Sequence, residues 1–597
     1  LTYKRPISWE MVWMKDTRKF THAVGKLHLH KHVYLSLAAI LIGILAGYGA
    51  LIFRYVIKMA QYGFYQNTND VLTFHSSIPF WLKILLPAAG GLIVGPLIYF
   101  GAREAKGHGV PEVMEAVALK GGRIRARVAL VKIIASGISI GSGGSVGREG
   151  PIVQIGSSIG STLAQILRAP TFRQRTFVGC GAAAGIAATF NAPIAGALFA
   201  AEVILGDFGI ATFSPVVLSS VTATAISRHY FGDFPAFIIP AYEVVSLWEF
   251  LFYPILGVIA GVIAVLFTVS LYKFEDGFEA LKFPEYLKPA LGGLLLGVML
   301  IKLPHVFGVG YGAINMSLKN QLPALILLSL VFVKILATSV TIGSGGSGGI
   351  FAPSLFIGAM TGGFFGWGVH TLFPQITANP GAYALVAMGA VVAGTTHAPI
   401  TAILIIFEMT ATYKIILPLM FACIISTLVA SSIKSGSIYT IKLARRGVEL
   451  SQGWEQSILQ TIKVRDIMRD RVVTVQEGTL LGEVIESLKT RDVSYLHVVN
   501  DSDELTGVIS FRDIRSALQE ETLKNLVIAK DVATIDIVTI HPTDSLLLAF
   551  QEMGSRGISQ LPVVREDDGN KLVGTVSQRD VMAAYDKAIL KREIEEM

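Results

Sequence analysis

The sequence predicts a polytopic α-helical membrane protein with an inverted internal repeat and broken, re-entrant helices, followed by an α/β pair of small domains. The 597-residue chain is 52% hydrophobic and only 16% charged, far more apolar than a soluble protein. The charge is uneven: residues 464–597 hold 16 Lys and Arg against 24 Asp and Glu, so an apolar, net-positive body precedes a polar, net-negative tail. Two glycine-rich stretches, GSGGSVGREGP from Gly141 and GSGGSGGIFAP from Gly343, lie 202 residues apart. They mark a duplication within the body.

The first element is a basic, amphipathic segment over 1–32, with Lys4, Arg5, Lys15, Arg18, Lys19, Lys26 and Lys31 ahead of the first span. It lacks the short apolar core of a cleavable signal. The positive-inside tendency places it in the cytoplasm. The pI near 9.1 is therefore topological and does not imply nucleic acid as a partner. The body follows over 33–440, in two repeats of roughly 33–230 and 246–440. Stretches 33–53, 84–102, 177–201, 208–227 and 415–433 contain no Asp, Glu, Lys or Arg, and none occurs from Ile335 to Phe407. A helix of about 20 such residues crosses the hydrocarbon core, so the lipid bilayer is the solvent of this domain. A second repeated pair, NAPIAGALFAAE from Asn191 and HAPITAILIIFE from His397, is spaced by 206 residues. Transporter bodies often consist of two such halves, inverted across the membrane, with the ion site between them.

The glycine-rich stretches interrupt apolar segments. Irregular backbone at membrane depth persists only where protein or a water-filled cavity surrounds it. Each stretch is expected to open a helix there, presenting unpaired N–H groups and a positive dipole end. That arrangement favours a small anion. Cys180 and Cys423 have no metal-ligand spacing and read as small buried hydrophobes. A linker over 441–463 leads to tail domains at 464–520 and 527–590. GVISFRDI from Gly507 and GTVSQRDV from Gly574 are 67 residues apart, and each sits in a β-α-β-β-α pattern.

GSGGSG at 343–348 matches a dinucleotide fingerprint by letter, but no acidic residue follows before Phe407, so the ribose partner is missing. GSGGSVGRE also lacks the Lys-Ser/Thr of a phosphate loop. No metal cluster or nucleophile–base spacing points to an enzyme. Glu149 is the informative charge, because a carboxylate at mid-membrane is costly and by default functional. Placed among anion-favouring N–H groups, it competes with a mobile anion, and protonation releases the site. His108, in GHGVPE, can donate a hydrogen bond to an anion. Tyr439, in SGSIYTIKL, is an aromatic hydroxyl after the last span.

Together, GHGVPE (107–112), GREGP (147–151) and GIFAP (349–353) resemble the three motifs of the CLC family of chloride channels and proton-coupled chloride antiporters, over about residues 30–445. The tail resembles a pair of CBS domains, which commonly follow CLC bodies. The resemblance implies the CLC fold, a homodimer with one pore per subunit, and residence in the plasma (inner) membrane with the tail cytoplasmic. It makes Glu149 the gate, flanked by Gly147, Arg148 and Gly150. Ile350 and Phe351 N–H groups and the Tyr439 hydroxyl become anion contacts. The family usually has Ser at the position of His108, so His108 opens the choice between chloride and another anion such as nitrate, and a pH-sensitive inner gate.

Val203, next to Glu202, stands where proton-coupled members usually carry an inner proton-transfer glutamate. A valine relays no proton, although Glu202 could act through water. A passive voltage- or pH-dependent chloride channel is therefore expected, with antiport the alternative. A CBS-regulated divalent-cation transporter is a remote one, since it needs acidic clusters in the spans. In the tail, Ser510 with Asp513 and Ser577 with Asp580 match positions that hold a nucleotide ribose in CBS domains. They imply an adenine nucleotide (ATP, ADP or AMP) as a regulatory ligand. No cofactor is required.

Overall fold

The computed structural model describes residues 31–233, 237, 242, 245–448, 459, 462–470, 472–490, 495–511, 513–515, 523–565 and 571–595. The expected N-terminal segment and much of the linker lie outside them. The chain divides into two compact units, Leu1–Glu449 and Leu450–Met597.

Among the described residues, the first unit is built of helices and carries no named strand. Helix α1 (Lys31–Tyr65) and α2 (Phe80–Pro96) are followed by α3 (Val110–Leu119), α4 (Arg127–Gly141), α5 (Glu149–Ile166), α6 (Thr171–Phe190), α7 (Pro193–Phe199) and α8 (Ile210–Phe231). The second half repeats the order with α9 (Phe252–Ala280), α10 (Lys288–Lys302), α11 (Tyr311–Leu318), α12 (Ala324–Gly343), α13 (Phe351–Leu372), α14 (Pro380–Thr396), α15 (Pro399–Thr410) and α16 (Ile416–Ile433), and α17 (Thr440–Arg445) closes the unit. By length and hydropathy, α1, α2, α8, α9, α12 and α16 lie in segments able to span a membrane. Leu37, Leu41, Ile52, Val221, Leu417 and Leu428 are exposed along three of them, as lipid-facing side chains are.

The apolar run 177–201 is not one crossing. It breaks after α6 because Asn191 takes a left-handed conformation (φ 61°) and donates its N–H to the Ala187 carbonyl, and Pro193 then starts α7. His397 (φ 55°) and Pro399 do the same between α14 and α15. A short polar residue in the left-handed cap followed by Pro inside the next helix is a stop-and-restart signal. It explains why Asn-Ala-Pro-Ile and His-Ala-Pro-Ile recur.

The two halves meet at the glycine-rich turns. Gly143 and Gly345 hold φ of 118° and 101°, which a side chain would strain. Gly147 N–H donates to the Gly349 carbonyl (2.7 Å) and Gly349 N–H to the Gly147 carbonyl (2.6 Å). This reciprocal exchange is the antiparallel pattern, so the two copies run in opposite directions and the repeat is inverted. The same pseudo-two-fold relates Ser145 Oγ on the Val306 carbonyl (2.7 Å) to Ser347 Oγ on the Ala105 carbonyl (2.8 Å).

In the second unit, β1 (Thr474–Gln476) pairs parallel with β2 (Tyr495–Val499), which pairs antiparallel with β3 (Leu505–Ser510). Between β1 and β2 lies α18 (Leu481–Thr490), whose Leu481, Val484, Ile485 and Leu488 are buried at helical spacing. The second tail domain carries α19 (Leu546–Arg556), an antiparallel β4 (Gln560–Val564) and β5 (Leu572–Ser577), then α20 (Gln578–Glu595). Its leading strand, expected from the repeat, is reduced among the described residues to a single bridge between Ile540 and Val563.

His497 is buried in β2, and burial pushes its pKa down from 6.5 to about 4, against a hydrogen bond with the Val473 backbone. The unfolded chain takes up this proton near pH 6.5, the folded domain only near 4. Stability is therefore intact above the unfolded value and falls on acidification toward the folded one, by up to about 3 kcal/mol. Limited proteolysis of the tail in the full-length protein is expected to accelerate over that window, and His497→Phe to flatten the pH response.

Candidate functional site

Glu149 is the first residue of α5 and is 1% exposed. Its Oε1 accepts from the Tyr311 hydroxyl at 3.2 Å, and its Oε2 is buried without a partner. A Cβ on Gly147 would collide with that Oε2 and come within 3.2 Å of the Ala352 nitrogen. Gly147 is thus the space into which the carboxylate folds, beside the start of α13. Gly150 is equally constrained, since a Cβ there would strike the His108 carbonyl and lie 3.0 Å from the Gly349 Cα.

Around the carboxylate, four interrupted segments converge. The N–H groups of Ile350 and Phe351 have no hydrogen-bond acceptor among the described residues, as expected at a helix start. Both residues are 2% exposed. His108, 1% exposed, has neither ring nitrogen satisfied. Its ring centroid lies 5.7 Å from that of Tyr439, itself 2% exposed. Arg446, just beyond α17, holds this pair together through ion pairs with Glu112 (2.8 Å) and Glu115 (3.0 Å) of α3. A small anion would meet N–H donors, an imidazole and a hydroxyl here, and the Glu149 carboxylate is placed to compete with it.

Two lysines position these segments, and charge-free windows miss both. Lys132 of α4, fully buried, donates to the Ala105 (3.0 Å) and Gly107 (2.8 Å) carbonyls. Lys334 of α12 donates to the Val306 (3.3 Å) and Gly308 (3.0 Å) carbonyls. Each therefore pins the turn that launches a short helix, α3 or α11. The lysines share the 202-residue period of the glycine turns, and that spacing was the available signal. Nearly the same spacing, 201 residues, aligns Gly-His-Gly-Val at 107 with Gly-Val-Gly-Tyr at 308, and Tyr311 bonds Glu149.

Arg148 forms no ion pair with the carboxylate among the described residues. Its Nη2 reaches the Thr189 carbonyl at 3.4 Å, and its guanidinium lies 5.4 Å from the centre of the Tyr311 ring. Glu202 is a structural cap. Its carboxylate accepts from Ile400 N–H (3.3 Å), Thr401 N–H (2.7 Å) and the Thr401 hydroxyl (2.6 Å) at the start of α15. Glu408 returns the contact on Ile194 and Ala195 N–H at the start of α7 (3.1 and 2.7 Å). Val203 is buried beside Glu202.

In the tail, Asp513 accepts from its own Ser510 N–H (2.7 Å) and hydroxyl (2.6 Å) through Oδ2, and Oδ1 has no partner among the described residues. Asp580 is bound likewise by Ser577 (3.0 and 2.5 Å), but its Oδ1 also accepts from Arg469 at 2.6 Å. Burial opposes its ionisation, yet the Ser577 and Arg469 hydrogen bonds hold its carboxyl below the usual range. The two Ser-x-x-Asp sites are therefore not equivalent.

Residues 90–431 match the family model described as "Voltage gated chloride channel", and residues 464–520 and 529–587 match the CBS domain. The chain is 39% identical over 413 residues to a "Putative chloride channel protein ClcB-like" of Ralstonia nicotianae, covering 68% of this chain and 95% of that protein. It is 30% identical over 564 residues to "Chloride channel protein CLC-f" of Arabidopsis thaliana, covering 82% and 71%. Among solved structures, a "slow cyanobacterial Cl-/H+ antiporter" superposes with a TM-score of 0.64 at 29% identity, covering 70% of this chain and 98% of that one.

Proposed function

Because the chain belongs to the voltage-gated chloride channel family and carries a C-terminal CBS pair, we propose that it conducts chloride passively across a membrane through a path gated by Glu149. The observation that carries this reading is the buried Glu149 carboxylate lying over Gly147 beside the start of α13 at Ala352, next to helix-start N–H groups at Ile350 and Phe351 that have no acceptor among the described residues. The deprotonated carboxylate folds into the space over Gly147 and blocks the path. When it is protonated, it gives up the space over Gly147 and an anion takes its place there. His108 and Tyr439 supply donors on the inner side, and Gly150 lets the segments approach. His108, with both nitrogens free for a ligand, bears on the choice between chloride and other small anions.

Passive conduction is favoured because Val203 cannot carry a proton and both oxygens of Glu202 are engaged in capping α15. Proton-coupled antiport is the second reading, supported by the similarity to a structure described as a Cl-/H+ antiporter. Two copies form the working unit in the plasma (inner) membrane, with the N-terminal segment and tail in the cytoplasm. An adenine nucleotide regulates through the tail. Its ribose fits Asp513, which has an oxygen to offer, whereas at Asp580 it must displace Arg469.

The test is the reversal potential of the reconstituted protein under opposed chloride and pH gradients. A potential set by chloride alone is expected. One that moves with pH at fixed chloride establishes antiport instead, and no chloride current at all overturns the reading.

A further inference from the structure

A narrow cavity lies behind the two glycine-rich turns, and its lining includes none of the anion contacts. Each lining residue has its counterpart 202 positions on, among them Pro87 with Pro289, Ser139 with Thr341 and Ser142 with Ser344. The cavity therefore lies on the pseudo-two-fold that relates the halves. It has room for about one or two water-sized spheres. Gly90 and Gly292 leave the hydroxyls of Ser142 and Ser344 their place, since a Cβ on either glycine would strike them.

Two helices end at this cavity. Ser142 and Ser344 are the C-caps of α4 and α12, and neither helix has a basic residue in its last turn. Two negative dipole ends thus converge with no side-chain cation between them. The hydroxyls have the same polarity. Ser142 Oγ donates to the Ser139 carbonyl at 3.2 Å, Ser344 Oγ to the Thr341 carbonyl at 3.1 Å and Thr341 Oγ1 to the Ala337 carbonyl at 2.7 Å. Each has committed its proton to its own helix and keeps lone pairs for another partner. Ser139, 6% exposed, lines the cavity, and its hydroxyl has no hydrogen-bond partner among the described residues. No carboxylate lines the cavity, so a divalent ion would lack its usual charged ligands.

We infer that the cavity binds one small monovalent cation of sodium's size, held by hydroxyl oxygens from both halves. The ion is a staple and not a step in conduction, so the inference does not rest on the conduction reading. By holding the ends of α4 and α12 together, it fixes the turns that follow them, where Gly147 and Gly349 exchange hydrogen bonds.

The first test is the thermal midpoint of the detergent-solubilised full-length protein, with sodium exchanged for N-methyl-D-glucamine at constant chloride. Sodium is expected to raise the midpoint saturably, by about 2 °C or more at about tenfold excess over its dissociation constant. A double variant with Ser142→Ala and Ser344→Ala lacks two ligand oxygens and is expected to lose that rise. Equal midpoints in the two cations overturn the site. So does a rise that survives in the double variant, because sodium then acts elsewhere.

The second test uses the parent alone and stands even if the double variant does not fold. A high-resolution crystal structure in sodium chloride is expected to show an occupant closer to the Ser142 and Ser344 oxygens than the ~2.7–2.8 Å of a hydroxyl hydrogen bond. An occupant at hydrogen-bond distance is a water, and water alone, or an empty cavity, overturns the proposal.

Discussion

Glu149→Gln moves chloride faster than the parent at neutral pH, and its rate stays flat as pH falls. The glutamine has nearly the shape of the protonated acid and carries no charge. It keeps a hydrogen-bonding oxygen for Tyr311 but cannot compete as an anion for the place over Gly147. In the parent, acidification protonates the carboxylate and opens the path, so efflux rises as pH drops. The expected difference is largest where the parent carboxylate is ionised, at about tenfold or more, since one charge-assisted contact is worth about 1.5–3 kcal/mol. Chloride efflux from liposomes, recorded for both proteins over the same pH series, checks it. A variant that keeps the parent's pH profile removes Glu149 from the gate.

Lys132→Met and Lys334→Met each lower the thermal midpoint of the detergent-solubilised protein, with Lys334→Met the more severe. Each ammonium satisfies two buried carbonyls. Replacing it with an apolar chain of similar length forfeits charged hydrogen bonds, at about 3 kcal/mol per site. Three of the four carbonyls retain a second donor: Ser347 on Ala105, Gly348 on Gly107 and Ser145 on Val306. The Gly308 carbonyl keeps none among the described residues, hence the asymmetry. The damage is local to the turns that launch α3 and α11, so surviving Lys132→Met protein is expected to lose order at His108. Fluorescence-detected size exclusion after heating gives the ranking. Equal midpoints for parent and both variants would show that the lysines are passengers.

Much of this was legible in the chain. The 202-residue period pointed to the two turns, and burial along α18 recurs at the helical spacing of its apolar residues. Asn191 and His397 are readable as caps once Pro is seen two residues on. The rest failed for physical reasons. Helix α12 carries Lys334 at its centre, and α9 carries four charges toward its end, so counting charge-free windows passes over both. Their cost is offset by carbonyls and counter-charges that only the fold brings near. Tyr311 has no motif of its own, and its contact with Glu149 comes from the repeat, in which α11 is the counterpart of α3. Glu202 was open to a proton-relay reading because the N–H donors it accepts from, on Ile400 and Thr401, lie almost 200 residues away.

The most direct measurement is to locate the anion itself. Crystals of the parent and of Glu149→Gln grown in bromide should both show an anomalous peak within hydrogen-bond distance of the Ile350 and Phe351 N–H groups. The variant should show one more, where the parent carboxylate lies over Gly147. An additional peak confined to the variant means that carboxylate and anion compete for one place. Identical peaks in both proteins, or none at either helix start, would contradict a gate built on that competition.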